Sequence, residues 1–279
     1  MIIDFHTHVF PPKIKNDREH FLRQDACFAE LYSGKNSRLA TAGELIAGMD
    51  AAGIDVSVID NIAWSSPELS AETNDYIMES VARYPGRLVG FGHVHPMADW
   101  AQEEMWRCAT GGIKGIGELR PDKNWLDPAN KDAMERFSSS IKELGLILLL
   151  HSSEPVGHIY PGKGEAAPDL LYRFIERYSG LKIVLAHWGG GLPFYALMPE
   201  VQASLKDVFF DSAASPLVYR RQVYARVVSL VGGDKILFGS DYPLVTQERA
   251  VNEAKKTGLP RAARALFLGG NARRLLGLP

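Results

Sequence analysis

Cysteine is scarce: the 279-residue chain has only Cys27 and Cys108. Two thiols can build neither a disulfide framework nor a cysteine-based zinc site. An excess of one charge is missing too. The 31 basic and 33 acidic residues leave a net charge of −2, and without a basic field nothing concentrates a phosphate backbone, so nucleic acid is not an expected partner. The longest apolar run, Leu146–Leu150, is far too short to span a bilayer. The opening MIIDFHTHVF lacks the basic n-region and long apolar stretch of a secretory signal. A cytoplasmic protein without a membrane partner is expected. No internal repeat, low-complexity tract or linker interrupts the chain.

What is present is alternation. Candidate strands are Ile2–His6, Asp55–Asp60, Leu88–His93, Gly112–Glu118, Leu146–His151, Lys182–His187, Val208–Asp211 and Lys235–Gly239. Each is short, rich in Ile, Val, Leu or Phe, and bounded by Gly or polar residues, the pattern of a buried parallel strand. Thr41-Ala-Gly-Glu44 is a capping box opening a helix that runs to about Ala52, with Gly53 closing it. Leu69–Tyr84 stops before Pro85. Asp99–Ala109, Lys131–Leu144, Pro168–Tyr178, Pro193–Leu205, Pro216–Leu230 and Gln247–Lys256 continue the helical series, and Arg261–Phe267 and Asn271–Leu276 close it. Eight strand–helix units predict one α/β domain over 1–279, a (β/α)₈ TIM barrel. A doubly wound open sheet is the runner-up, but its glycine fingerprint after the first strand is absent. Val9–Ala40 is charged and weakly periodic. It predicts a lid insertion beside the first-strand histidines.

Chemistry in such a barrel sits at the C-terminal strand ends. Six of the eight histidines fall there: His6, His8, His93, His95, His151 and His187. His6 and His8, two apart on a strand, point to one face. His151 and His187 would add imidazoles from the fifth and sixth strands, and Asp241 a carboxylate from the end of the eighth. Nitrogen and oxygen donors of this kind suit zinc, while manganese or iron would tolerate the same set. A lone HxH pair or strand-end histidine is weak evidence. Five such groups from four strands are a stronger pattern.

Several segments, in this order, resemble the amidohydrolase superfamily, most closely the amidohydrolase-related (type 2) family. They are Ile3-Asp4-Phe5-His6-Thr7-His8, Leu150-His151, Leu185-Ala186-His187-Trp188-Gly189-Gly190, Phe238-Gly239-Ser240-Asp241-Tyr242-Pro243 and Gly270-Asn271-Ala272-Arg273-Arg274-Leu275-Leu276. The resemblance implies a distorted barrel holding a divalent metal, commonly zinc, on His6, His8, His151 and Asp241. It also implies that His187 orients substrate or water in one-metal members. Gly115-Ile116-Gly117-Glu118-Leu119 looks like the strand-four glutamate of TatD-like relatives, which bridges two metals. With Glu118 and His187 both as ligands two ions would fit. Otherwise Glu118 stands behind the ligands. A homodimer follows by analogy with the family alone.

The leading expectation is a hydrolase acting on a small lactone, amide or ester. A metal-activated water attacks, with Asp241 taking its proton and His187 helping to polarise the electrophile. The second is a metal-dependent decarboxylase or hydratase of a small unsaturated or aromatic acid, with His187 transferring a proton to carbon. The third, a non-catalytic scaffold, sits poorly with the full ligand set. Arg120, His95, Tyr160 and Trp188 are expected to bind substrate, each with ordinary packing or loop placement as the alternative. Asp211 is expected to support the site from behind. Strand parity would bring Asp4 and Lys114 together inside the barrel, since an unpaired buried charge is costly.

Overall fold

Eight parallel strands run in chain order around one sheet in the computed structural model, which describes residues 1–62 and 64–279. They are β1 (Ile3–His8), β2 (Val56–Asp60), β3 (Leu88–Gly92), β4 (Gly115–Leu119), β5 (Ile147–Leu150), β6 (Lys182–Leu185), β7 (Val208–Asp211) and β8 (Ile236–Leu237). The seam between last and first strand is closed by main-chain bonds. Phe5 N donates to Phe238 O at 2.7 Å, Asp241 N to His6 O at 3.0 Å, and His8 N to Tyr242 O at 2.7 Å. The result is the expected (β/α)₈ barrel.

The helices are α1 (Pro12–Asn16), α2 (Arg18–Gln24), α3 (Ala26–Tyr32), α4 (Ala42–Ala52), α5 (Pro67–Arg83), α6 (Ala101–Thr110), α7 (Lys131–Glu143), α8 (Pro168–Arg177), α9 (Pro199–Ser204), α10 (Ser215–Val218), α11 (Gln222–Val231), α12 (Gln247–Lys255), α13 (Arg261–Ala265) and α14 (Asn271–Leu276). The Thr41–Glu44 capping box forms, and Gly53 ends α4 at φ 70°. None of the described helices is long and apolar enough to cross a membrane.

Two expected helices are broken. Pro193–Leu205 shrinks to α9, because Trp188, Gly189, Gly190 and Gly191 all hold positive φ and force a tight 3₁₀ turn over His187–Tyr195. Pro216–Leu230 divides into α10 and α11 where Tyr219 turns extended, at φ −123° and ψ 152°. Val9–Ala40 is no irregular loop either. Its α1, α2 and α3 pack Phe10, Ile14, Phe21 and Phe28 against Trp64 and Leu69 in a separate apolar cluster. Burying each such side chain contributes about 1.5–3 kcal/mol.

The barrel interior is filled by Ile3, Phe5, Val58, Phe91, Leu149 and Val184, with Ala272 and Leu276 of α14 in the same cluster. Asp4, between two of these residues, points the other way. It accepts from Ser240 N (2.8 Å), Ser240 Oγ (2.6 Å) and Gln247 Nε2 (2.8 Å), Gln247 lying on α12. The expected Asp4–Lys114 pair is therefore corrected. The β1–β2 register shifts between Asp4 and Thr7, so parity does not carry from His6 back to Asp4. Lys114 is exposed just before β4, whose own register shifts between Ile116 and Leu119.

Candidate active site

The same register shifts build the site. On β1 the shift lets His6 and His8 both reach the barrel mouth. On β4 the glycine before Glu118 is indispensable. A Cβ on Gly117, at φ 145°, would lie 2.3 Å from Leu149 O, so this bend against β5 tolerates no side chain. His187 and Asp241 lie just past β6 and β8 in left-handed backbone, at φ 53° and 67°. That conformation costs a non-glycine residue roughly 1–2 kcal/mol and is concentrated at functional positions.

Outer hydrogen bonds fix the imidazoles. His6 Nδ1 donates to Asp211 Oδ2 at 2.8 Å. Asp211 Oδ1 also accepts from the main-chain nitrogens of His187 (3.1 Å) and Ala213 (2.9 Å). Asp211 thus supports two site residues from behind, as expected. His8 Nδ1 donates to Asn61 O at 3.3 Å. Asp60 Oδ1 lies 2.7 Å from the same nitrogen but off its N–H axis, and neither Asp60 oxygen accepts a directed bond. His187 Nδ1 donates to Ala213 O at 3.1 Å. With Nδ1 protonated on all three rings, Nε2 carries a lone pair whenever the ring is neutral.

Those lone pairs converge. His6 Nε2 and His8 Nε2 are 3.1 Å apart, and Asp241 Oδ1 is 3.9 and 3.4 Å from them. Acceptors facing one another at this distance need a proton or a cation between them. A cation fits the nitrogen–oxygen donor set. Glu118 divides the cluster. Its Oε2 faces His6 (3.6 Å) and His8 (3.7 Å), and its Oε1 faces His151 (2.9 Å) and His187 (3.2 Å). Among the described residues, two groups of atoms lie close enough to share an ion: His6, His8 and Asp241, and His6, Glu118 and His187. His151 belongs to neither. Its Nδ1 meets Glu118, and its Nε2 lies 3.1 Å from Ser153 Oγ.

Charge is held accordingly. Burial opposes the charged form of His6 and His8. Asp211 and Glu118 around His6, and Asp60 and Asp241 around His8, outweigh it and hold both imidazoliums well above the usual range. Burial would likewise raise Glu118 and Asp241. The surrounding histidines keep Glu118 well below the ordinary carboxylate range and lower Asp241 to about 2. Without a metal, protons on the histidines supply the positive charge that the carboxylates demand.

The cluster floors a cavity of about 480 Å³, with His8, Glu118, His151, His187 and Asp241 on its polar side and Leu31, Tyr32, Ile62, Leu217 and Leu244 among its walls. Of the expected substrate contacts, Tyr160 and Arg120 line this cavity. Tyr160 OH donates to Glu154 at 3.0 Å. Arg120 is engaged by both Glu30 oxygens (2.9 and 3.0 Å) and by Gly162 O (3.1 Å). His95 and Trp188 do not reach the cavity. His95 is exposed beyond β3, because the chain leaves the sheet at Gly92. Trp188 is fully buried, donates to Ser215 Oγ at 2.6 Å and packs on Tyr224. Its left-handed φ turns the indole away from the mouth. His93 is buried as a neutral ring, its pKa lowered to about 3 by desolvation. Both cysteines stay inert thiols: burial pushes Cys108 up to about 12 and raises Cys27. Sequence reasoning missed Asp60 and Tyr32. A carboxylate ending the second strand was a legible signal for Asp60. Nothing in the sequence singled out Tyr32.

A closed parallel barrel with histidines and carboxylates converging at its C-terminal mouth is the scaffold expected of an amidohydrolase-superfamily enzyme. The chain belongs to that superfamily: the amidohydrolase family model Amidohydro_2 matches residues 3–278.

Gamma-resorcylate decarboxylase of Polaromonas sp. strain JS666 is 26% identical over 255 residues, covering 76% of this chain and 77% of the relative. The 2-amino-3-carboxymuconate-6-semialdehyde decarboxylase of Dictyostelium discoideum is 23% identical over 99% of this chain and 91% of its own. The solved 5-carboxyvanillate decarboxylase of Novosphingobium aromaticivorans, with bound manganese, superposes at a TM-score of 0.79 and 20% identity, over 100% of this chain and 97% of that one. The expected hydrolase is thereby corrected, since these relatives are decarboxylases. The HxH pair and Asp241 specify a metal-binding geometry that hydrolases and lyases share, so the motif could not specify the reaction.

Proposed function

We propose that the chain is a divalent-metal-dependent decarboxylase of a small aromatic carboxylic acid. The observation that carries this reading is that relatives of the chain are decarboxylases, with the aromatic acid gamma-resorcylate as one of their substrates. A cavity that sets a charged floor against apolar walls suits such a substrate.

His6, His8 and Asp241 would hold one ion, with Glu118 Oε2 beside them. When bound, the cation supplies positive charge that holds the substrate's oxygens and draws electron density from the ring. In the reaction the bond between ring carbon and carboxylate breaks, carbon dioxide leaves, and a proton takes its place on the carbon. His187 is the proton carrier. Its Nδ1 is fixed on Ala213 O, and its Nε2 borders the cavity beside Glu118. Glu118 holds His151 and His187 in place through one oxygen. Asp211 anchors the main chain at His187.

The test uses protein stripped of metal and restored with manganese, zinc or iron(II), then offered a panel of hydroxybenzoates. Carbon dioxide release with one ion per chain is expected, with deuterium appearing at the vacated ring carbon in heavy water. Restored protein that releases no carbon dioxide from any acid in the panel defeats the reading. Two ions per chain would overturn the single-ion assignment. Manganese is the first ion to try, because it occupies the carboxyvanillate decarboxylase of similar fold.

A further inference from the structure

Tyr32 is the last residue of α3, in the insertion between β1 and α4. It lines the same cavity as His8, Glu118, His187 and Asp241. The helix that carries it is pinned at both ends. At the start, Asp25 caps α3 by accepting from Phe28 N at 2.9 Å, while its other oxygen accepts from Ser65 N at 2.7 Å. Near the end, Glu30 takes a two-pronged bond from Arg120 at 2.9 and 3.0 Å, tying α3 to the tip of β4.

The ring of Tyr32 is clamped as well. It stacks on Phe28 with centroids 5.0 Å apart and meets Phe10 edge-on at 5.2 Å. Its hydroxyl makes no hydrogen bond to the described residues, although Asp25 and Glu30, which tether its helix, are both bonded. A rigidly held phenol with a free hydroxyl at the edge of a reaction cavity is a preorganised donor. It is also a neutral one. Burial, and then the charges of Asp241 and Asp60, hold its pKa well above the ordinary phenol value.

We propose that Tyr32 contacts the substrate directly, its hydroxyl donating a hydrogen bond to an oxygen of the bound aromatic acid. The insertion thereby completes a site that the barrel strands alone leave open on one side. This rests on the aromatic-acid reading above and adds to it a residue that fixes how the acid is oriented. The packing explains why a tyrosine occupies the position: phenylalanine would keep both ring contacts and lose only the donor.

The test compares wild type with Tyr32→Phe, both loaded with manganese. Calorimetry would follow binding of 2,6-dihydroxybenzoate, salicylate and benzoate, and steady-state kinetics would follow any acid that turns over. A hydrogen bond to a charged acceptor corresponds to about 10- to 100-fold in affinity. Tyr32→Phe should weaken acid binding and raise KM by that factor, with manganese content and Tm unchanged. Tyr32→Leu, which also removes the ring, should lower Tm. Wild-type affinity and KM in Tyr32→Phe overturn the proposal, as does a loss of Tm without a change in acid binding. If wild type itself binds none of the acids, the underlying aromatic-acid reading has failed, an outcome distinct from two proteins that bind alike.

Discussion

Individual side chains at the barrel mouth are held by groups buried behind them. Asp211 Oδ2 and Asn61 O keep Nδ1 of His6 and His8 occupied, leaving Nε2 of each for the proposed ion. Removing such an outer partner typically costs 10–100-fold in metal affinity, so Asp211→Asn should weaken manganese binding by about that factor in a chelator-competition titration. Asp241→Asn separates strain from chemistry. Asn tolerates the left-handed φ of 67° as well as Asp does, so the Tm of the metal-free protein should hold or rise. Turnover should fall at least about 100-fold, because the proposed ion loses one of the groups that hold it. An Asp241→Asn variant that decarboxylates at the wild-type rate would remove Asp241 from the reaction. His6, His8, Glu118 and Asp241 were legible as residues because each ends a short apolar run. The exclusion of His95 and Trp188 was not, because one or two residues past a strand end the chain can leave in any direction.

Among the elements, α4 shows how local signals become stability. Glu44 accepts from Lys15 and from Thr41 N, which lowers its pKa from 4.5 to about 2. A depressed acid contributes stability above its unfolded pKa and loses it as the pH falls through the folded one. That contribution should therefore vanish between about pH 4.5 and 2. Glu44 is largely exposed, so solvent screening keeps the effect small. Glu44→Gln should flatten this part of the acid limb in pH-dependent denaturant melts. Thr41→Ala removes the cap and should cost about 0.5–2 kcal/mol in the same melts. The insertion helices were illegible for a different reason. α1, α2 and α3 are 5, 7 and 7 residues long, too short for a helical period to stand out. Their stability comes from Phe10, Phe21 and Phe28 meeting Trp64 from a distant part of the chain. Phe28→Ala should cost about 3–5 kcal/mol. Limited proteolysis should then cut within 9–40 before it cuts the barrel.

At the scale of the whole molecule, the proposed ion would be coupled to the fold. The proposed ligands from β1 and from the turn after β8 come together only in the closed barrel, so binding should stabilise the native state alone. At a free ion concentration of 100 times Kd the gain is about 2.7 kcal/mol, or roughly 5–10 °C in Tm for a chain of this size. Stripping the metal should lower Tm by that amount in calorimetry, and manganese should restore it. The eight strand–helix units were readable from the chain alone, and with them the barrel and the strand ends that carry His6, His8, His151 and Asp241. Periodicity and apolar runs are local properties, and closure follows from their count. Only in the folded molecule does Asp4 turn outward, Glu118 stand between two pairs of histidines, and Tyr32 reach the cavity. Register shifts, positive φ values and contacts between distant segments set those directions, and none of them leaves a period in the chain.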